Sequence, residues 1–213
     1  MQVKKFEFNP FSENTYVVYD KSREACIIDC GAYSDQEKAA VKQFIADKEL
    51  IVKQHIYTHL HLDHSFGCAF IYDTYGIEAK YHHSEKNFMP SLSQQALTFG
   101  ITIDEREIPG HEIDESSTIS FGEDINFQIF LIPGHSPGGL CFYSSKHQSV
   151  FVGDVLFKGS VGRSDLWGGD HNALVEGIKK KLLTLPMHTK VFSGHGPDST
   201  IEYEKNNNPY LQE

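Results

Sequence analysis

The segment Thr58-His59-Leu60-His61-Leu62-Asp63-His64 decides how the rest of this chain is interpreted. It places three imidazoles and one carboxylate within six residues, directly after an alternating, strand-like segment at 51–57. Imidazole nitrogens and carboxylate oxygens are the ligands of zinc and comparable divalent ions. Two histidines on one helical face must stand four residues apart, as in HExxH. These histidines do not, so we predict that the four side chains lie on a loop.

A single histidine is more often a surface or hydrogen-bonded residue than a ligand, so a metal site needs further ligands elsewhere. Three later segments supply candidates, each at the end of a predicted strand: His135 in Pro133-Gly134-His135-Ser136-Pro137-Gly138-Gly139, Asp154 after the apolar segment 150–153, and His195 between Gly194 and Gly196. Loops at strand ends commonly carry functional residues. A carboxylate near an apolar core is costly unless it is neutralised. The sequence therefore predicts one metal site assembled from four distant segments.

Composition narrows the class of protein. The chain has 213 residues, enough for a sizeable core, and we expect one domain over 1–213. It carries 19 basic and 29 acidic residues, a net charge of −10, which argues against a nucleic-acid partner. A bound metal pair would still make one pocket locally positive, so anionic substrates remain compatible with this charge.

Sorting signals and thiol pairing are absent from the sequence pattern. No apolar run approaches the roughly 20 residues that span a bilayer, and the first residues lack the apolar region of a signal peptide. The four cysteines show no CxxC spacing, which predicts buried free thiols in a reducing compartment: Cys26, Cys30, Cys68 and Cys141. We therefore expect a cytoplasmic protein with no membrane association.

The order of predicted elements favours two mixed sheets. Strands are predicted at 2–8, 14–20, 24–30, 51–57, 77–81, 117–121, 125–132, 139–144, 149–153 and 189–193. Helices are predicted from Ser34, at 66–75, over 84–100 with a break at Pro90, and at 172–185. Most adjacent strands have no helix between them, so the sheet is not doubly wound. Two sheets packed face to face with helices outside fit better.

Two assignments in this pattern stay open. Asp29, at the end of the third strand, either supports the histidine segment or bonds backbone amides in a turn. The helical segment 84–100 either packs on the core, which we favour, or covers a site.

Taken together, the ligand candidates resemble those of the metallo-β-lactamase fold superfamily, in the same order and over nearly the whole chain. The resemblance implies an α+β fold, an αββα sandwich of two mixed β-sheets flanked by helices, with a dinuclear site at one edge. It implies one metal held by His59, His61 and His135, and a second held by Asp63, His64 and His195. Asp154 would bridge the two metals.

Within the superfamily the chain is most similar to the glyoxalase II (hydroxyacylglutathione hydrolase) branch, on residues 134–138, 153–157 and Gly162-Arg163. This implies hydrolysis of a thioester such as S-lactoylglutathione by a metal-bridging hydroxide that Asp63 orients. Arg163 would bind the glycine carboxylate of glutathione. Asp165 stands where the branch has a tyrosine, and we expect it to pair with Arg163. Only 18 residues follow His195, fewer than the C-terminal helical domain of longer members needs.

The resemblance also implies two alternatives. A persulfide dioxygenase would hold a single iron with His59, His135 and Asp154, a two-histidine, one-carboxylate face. A non-catalytic metal-binding protein would need an incomplete ligand set or a blocked cleft. For the hydrolase we expect two divalent ions, zinc first with iron or manganese as alternatives. We also expect a small-molecule thioester as the partner and a monomer or weak homo-oligomer.

Overall fold

The computed structural model describes residues 1–88, 91–103 and 109–212. Its first sheet contains six strands in sequence order, β1 to β6. They span Gln2–Phe8, Glu13–Tyr19, Glu24–Ile28, Ile51–Ile56, Ala79–Tyr81 and Gly110–Glu112. The first three pair antiparallel, whereas β3 to β6 run parallel. The sheet is therefore mixed, as predicted.

The second sheet also contains six strands, in the order β14-β13-β10-β9-β8-β7. They span Ile119–Phe121 (β7), Ile125–Leu131 (β8), Leu140–Ser144 (β9), Ser149–Gly153 (β10), Lys190–Ser193 (β13) and Ser199–Thr200 (β14). Only β10 and β13 pair parallel, and the other neighbours are antiparallel. A small hairpin of Leu156–Phe157 (β11) and Ser160–Val161 (β12) follows β10.

Seven α-helices occur in the described residues: Asp35–Asp47 (α1), Leu62–Ser65 (α2), Cys68–Tyr75 (α3), His83–Phe88 (α4), Leu92–Phe99 (α5), His171–Gly177 (α6) and Ile201–Asn207 (α7). A π-helical turn, Ile178–Leu182, continues α6. The capping box of Ser34 and Glu37 starts α1, and Gly76 ends α3 in the left-handed conformation, both as predicted. Within these ranges, no helix is both long and apolar enough to cross a bilayer.

Three apolar clusters define the layers. The central cluster lies between the sheets and contains Ile28 and Ile56 from the first sheet with Phe142 and Phe151 from the second. A second cluster lies under α1 and α3, and a third lies under α6 and its π-helical turn. Each sheet is thus covered by helices on one face and by the other sheet on its opposite face. This is the αββα sandwich that the sequence predicts.

Several predicted boundaries were wrong. The third strand ends at Ile28, not at residue 30, because Asp29 turns the chain with a φ of 50°. The helix predicted at 66–75 begins at Cys68, and residues 62–65 form a short helix of their own. The strands β6, β11, β12 and β14 and the helix α7 were not predicted, because most of them are too short to show a period. The predicted break at Pro90 lies outside the described residues. The four cysteines are free thiols, and three of them are buried.

Candidate metal centre

The seven ligand candidates lie together at one edge of the sandwich. One group of three consists of imidazoles from two loops. His59 and His61 follow β4, and His135 lies in the connection between β8 and β9. The Nε2 atom of His135 is 3.2 Å from Nε2 of His59 and 2.9 Å from Nδ1 of His61. Their ligand atoms lie within 4.8 Å of one another, close enough to hold one ion.

The second group combines the start of α2 with the end of β13. The Oδ2 atom of Asp63 is 3.1 Å from Nε2 of His195 and 3.7 Å from Nε2 of His64. Asp63 and His64 lie on the four-residue helix α2, so the prediction that all four clustered side chains lie on a loop was wrong for these two. A single turn of helix carries too few residues to show helical periodicity in the sequence.

Asp154 lies between the two groups. Its Oδ1 is 3.4 Å from Nε2 of His64, and its Oδ2 is 3.6 Å from Nε2 of His135 and 3.5 Å from Nε2 of His195. One carboxylate therefore faces ligand candidates from both groups. The glycine that ends β10, Gly153, has a φ of 51°, and a Cβ there would lie 2.2 Å from Oγ1 of Thr58. Only glycine allows β10 to bring Asp154 this close to the histidine loop.

Hydrogen bonds to the main chain fix which ring nitrogen of His135 and of His195 faces the cleft. Nδ1 of His135 donates to the carbonyl oxygen of Arg163 at 2.8 Å, and Nδ1 of His195 donates to that of Phe11 at 3.0 Å. A carbonyl can only accept, so both Nδ1 atoms carry the proton. When the ring is neutral, the other nitrogen, Nε2, carries a lone pair that faces the other ligand candidates.

Asp29 holds the two histidines at the ends of the histidine loop. Its Oδ2 accepts from Nδ1 of His64 at 3.0 Å and from Oγ1 of Thr58 at 2.8 Å, and its Oδ1 accepts from the backbone N–H of Thr58 at 2.7 Å. Because the Thr58 hydroxyl donates to Asp29, it accepts from Nδ1 of His59, 3.0 Å away. Of the two interpretations of Asp29 that the sequence left open, these bonds confirm the first, a carboxylate that supports the histidine segment.

Burial and charge divide the histidines into two classes. Burial lowers the pKa values of His59, His61 and His135, so these rings are neutral at pH 7. Burial also opposes protonation of His64 and His195, but Asp63 and Asp154 outweigh it. The pKa of His64 rises well above its usual value, and that of His195 rises to about 10.

The two carboxylates shift in the opposite direction. Burial would raise the pKa values of Asp63 and Asp154, but the neighbouring His64 and His195 lower both. Two ionised carboxylates in a buried cleft thus require compensating positive charge. Divalent cations bound in the same cleft would supply the charge that these protons otherwise supply.

The donor set fits metal ions on three observations. Three neutral imidazoles point nitrogen atoms at one another at 2.9–3.2 Å, an arrangement that a cation stabilises. Nε2 of His64 and Oδ1 of Asp154 are buried and have no hydrogen-bond partner in the described part of the chain. A Cβ at position 194 would lie 2.2 Å from Oδ1 of Asp154, so Gly194 leaves this space open.

Arg163 lies beside this centre, as the sequence predicts. Its carbonyl oxygen orients His135, and its guanidinium forms two bonds to Asp165, at 2.7 and 2.9 Å. The predicted pairing with Asp165 is confirmed, and it lowers the pKa of Asp165 to about 2. Trp167 packs near His61 with ring centroids 6.4 Å apart. Nothing in the sequence distinguished this tryptophan from a core residue.

A cavity of about 820 Å³ lies beside the centre without containing it. It is lined by Leu60 and Leu62 of the histidine loop together with residues of α3 and α5, but by none of the seven ligand candidates. The seven ligand candidates therefore lie in the cleft between the loops, outside this mostly apolar cavity.

A family model described as the Metallo-beta-lactamase superfamily matches residues 8–195. The chain belongs to this superfamily. Within it, the hydroxyacylglutathione hydrolase GloC of Haemophilus influenzae is 32% identical over 99% of this chain and 98% of its own length. The chain is therefore a metallo-hydrolase, as the sequence predicts.

Two crystal structures are similar to this chain over nearly its whole length. The B3 metallo-beta-lactamase BLEG-1 is 34% identical with a TM-score of 0.90, and each chain is covered to 100%. TTHA1623 in a di-iron-bound form is 33% identical with a TM-score of 0.86, covering 98% of this chain and 100% of its own. The αββα fold is thereby confirmed, and a divalent-metal centre is in keeping with it.

Proposed function

We propose that this metallo-hydrolase, acting as one domain over 1–213, binds two divalent cations and hydrolyses a thioester such as S-lactoylglutathione. One cation is assigned to His59, His61 and His135, and the other to Asp63, His64 and His195, with Asp154 shared. The observation that carries this proposal is the convergence of the seven side chains into two groups that Asp154 joins. The similarity to GloC supports the thioester substrate.

Bound cations would act as Lewis acids and lower the pKa of a bound water to about 7. The chain's own residues then orient the reactants. Asp63 is the proposed catalytic residue, because its carboxylate lies at the cleft and its pKa is lowered, so it is ionised at pH 7. It accepts a hydrogen bond from the attacking water and aims its lone pair. The leaving group is the thiolate of a thiol with a pKa of about 8.5, and it departs without a protein acid.

Arg163 is the proposed substrate-binding residue for a carboxylate on the thiol portion. Its main chain is fixed by His135, and its guanidinium is held by Asp165. A guanidinium binds a carboxylate with two parallel bonds, so a substrate carboxylate competes directly with Asp165. The proposed substrate is therefore anionic, and its binding is weaker than it would be to an arginine that is not already paired with Asp165.

Zinc is the proposed resident ion, and iron is the specific alternative because TTHA1623 was crystallised in a di-iron-bound form. A persulfide dioxygenase with one iron would use only His59, His135 and Asp154. The same sequence motif serves both activities, so the number of bound ions and the uptake of oxygen decide between them. The remaining parts of the proposal are a cytoplasmic location, no nucleic-acid partner and a monomer or weak homo-oligomer.

A second candidate activity is β-lactam hydrolysis, which the 34% identity to BLEG-1 over the full chain favours. Ring opening of a β-lactam needs the same attack on a carbonyl. It differs in its leaving group, an amine that requires a proton, whereas a thiolate departs without one. This difference ranks the thioester first.

The test is elemental analysis of the purified protein, followed by rates on S-lactoylglutathione and on a chromogenic cephalosporin. Two ions per chain with a higher kcat/KM on the thioester are expected. One iron per chain with oxygen uptake on glutathione persulfide would overturn the hydrolase, and faster cleavage of the cephalosporin would reverse the ranking.

A further inference from the structure

The helices α4 and α5 contribute two buried polar side chains that the proposed chemistry does not use. Glu85 on α4 and Gln95 on α5 are each 1% exposed. The sequence favoured core packing for this segment. Instead of packing only on apolar residues, both side chains bond to the main chain of the loops that carry ligand candidates.

Glu85 connects two of these loops. Its Oε2 accepts the backbone N–H of Leu60 at 2.8 Å, and its Oε1 accepts that of Gly138 at 2.6 Å. Leu60 lies between His59 and His61, and Gly138 lies in the same turn as His135. One carboxylate therefore fixes the distance between the two loops that hold the three-imidazole group.

Gln95 bonds to the same stretch from a second helix. Its Oε1 accepts the N–H of Leu62 at 3.0 Å, and its Nε2 donates to the carbonyl of Leu60 at 3.1 Å. With Glu85, it bonds three main-chain groups immediately before and after His61. The backbone of His61 is thus held on both sides by the side chains of two residues that lie 25 and 35 positions after Leu60 in the sequence.

His61 differs from the other histidines in how its ring is oriented. His59, His64, His135 and His195 each bond to a protein oxygen through Nδ1. His61 instead turns Nδ1 toward His135, and its Nε2 is buried with no hydrogen-bond partner among the described residues. Its position consequently depends on its backbone rather than on a bond to the ring.

We propose that Glu85 and Gln95 are positioning residues for His61, and that they set the affinity of the cation position formed by His59, His61 and His135. The inference rests on the proposed metal site. Partners that orient a metal ligand typically change metal affinity by roughly 10–100-fold when they are lost. In the described part of the chain, the bonds of Glu85 and Gln95 go to the main chain of Leu60, Leu62 and Gly138, so the second cation position should keep its affinity.

The variants Glu85→Gln and Gln95→Met test this with little change in volume. Glutamine keeps only one of the two carboxylate oxygens of Glu85, so Glu85→Gln leaves an NH₂ group facing the N–H of Leu60 or of Gly138. Gln94→Met is the matched control, because Gln94 lies on the same helix, is exposed, and uses its side chain to accept the N–H of Ser91 in the capping box. Zinc affinities are measured by competition with a chromophoric chelator, and thermal unfolding of the metal-free proteins reports stability.

The expected result is that both variants bind one of two zinc ions roughly 10–100-fold more weakly, with the second ion unchanged. Gln94→Met should keep both affinities, even if α5 is weakened. Wild-type affinities at both positions in Glu85→Gln and Gln95→Met would overturn the inference, and so would equal weakening of both ions together with a lower melting temperature. A wild-type protein that does not bind two ions would instead overturn the metal site itself.

Discussion

Replacing Asp29 with asparagine should disturb the metal centre through the orientation of His64. The carboxylate of Asp29 accepts three hydrogen bonds, two from Thr58 and one from Nδ1 of His64. An amide keeps one oxygen acceptor and presents an NH₂ group on the other side. If the oxygen keeps the N–H of Thr58, the NH₂ group faces the Thr58 hydroxyl and the His64 ring.

These contacts determine how much metal affinity and stability Asp29→Asn should lose. The hydroxyl of Thr58 can rotate, but His64 can accept from the NH₂ group only as the other tautomer, with its proton on Nε2. That proton would point at Oδ1 of Asp154, 3.4 Å away, where a cation is proposed to bind. Losing such an orienting bond weakens metal binding by roughly 10–100-fold. If instead the buried donors stay unpaired, the metal-free fold loses about 1–3 kcal/mol.

The assay compares Asp29→Asn with Asp20→Asn. Asp20 is also buried and also accepts three bonds, from the N–H and hydroxyl of Ser22 and from the N–H of Glu123, in a turn outside the metal centre. Both variants should lower the urea midpoint of the metal-free protein by a similar amount. Only Asp29→Asn should weaken zinc in a chelator competition. Equal zinc affinity in the two variants would refute the argument about the His64 tautomer.

Three further perturbations have defined outcomes. Asp63→Asn should lower kcat on the thioester by roughly 10²-fold or more while the protein stays folded by circular dichroism, and more than about a tenth of the activity would contradict its catalytic role. Asp165→Asn should free Arg163 and lower KM for an anionic thioester by about two- to fivefold, but not KM for a neutral one; equal KM changes would argue against Arg163 as the carboxylate site. His55 is buried without a hydrogen-bond partner in the described chain, and burial lowers its pKa to about 3. The unfolded chain binds a proton at His55 below about pH 6.5 and the folded chain does not, so stability falls as pH drops toward 3. Between pH 7 and pH 5 the free energy of unfolding, measured with urea, should fall by about 2 kcal/mol less in His55→Phe than in the wild type. An unchanged pH dependence would show that His55 is protonated in the folded protein.

The positions of the ligand candidates were predictable because each has a local signature. His135, Asp154 and His195 follow strands that the sequence shows through apolar runs and flanking glycines. The strands β10 and β13 are parallel neighbours in the second sheet, and residues at their ends meet those that follow β4 of the first sheet. The pairing of Arg163 with Asp165 was also predictable, because two residues of opposite charge stood two positions apart.

The residues that orient the ligand candidates were harder to predict, because most of their partners are distant main-chain groups. Glu85 and Gln95 bond to peptide groups of Leu60 and Leu62, and a peptide group is the same at every position. No residue pattern near Glu85 or Gln95 therefore indicates the contact. Asp29 was the partial exception, since a carboxylate at a strand end has few uses.

A shared ligand motif defines only part of a metal centre. The motif fixes which atoms meet an ion, whereas the bonds from Asp29, Glu85 and Gln95 fix how closely those atoms are held before it binds. His61 shows the distinction most clearly, because its Nε2 has no hydrogen-bond partner among the described residues and its backbone is held by side chains from two helices. Two chains with the same seven ligands but different residues at positions 85 and 95 should therefore differ in the affinity of one ion and not of the other.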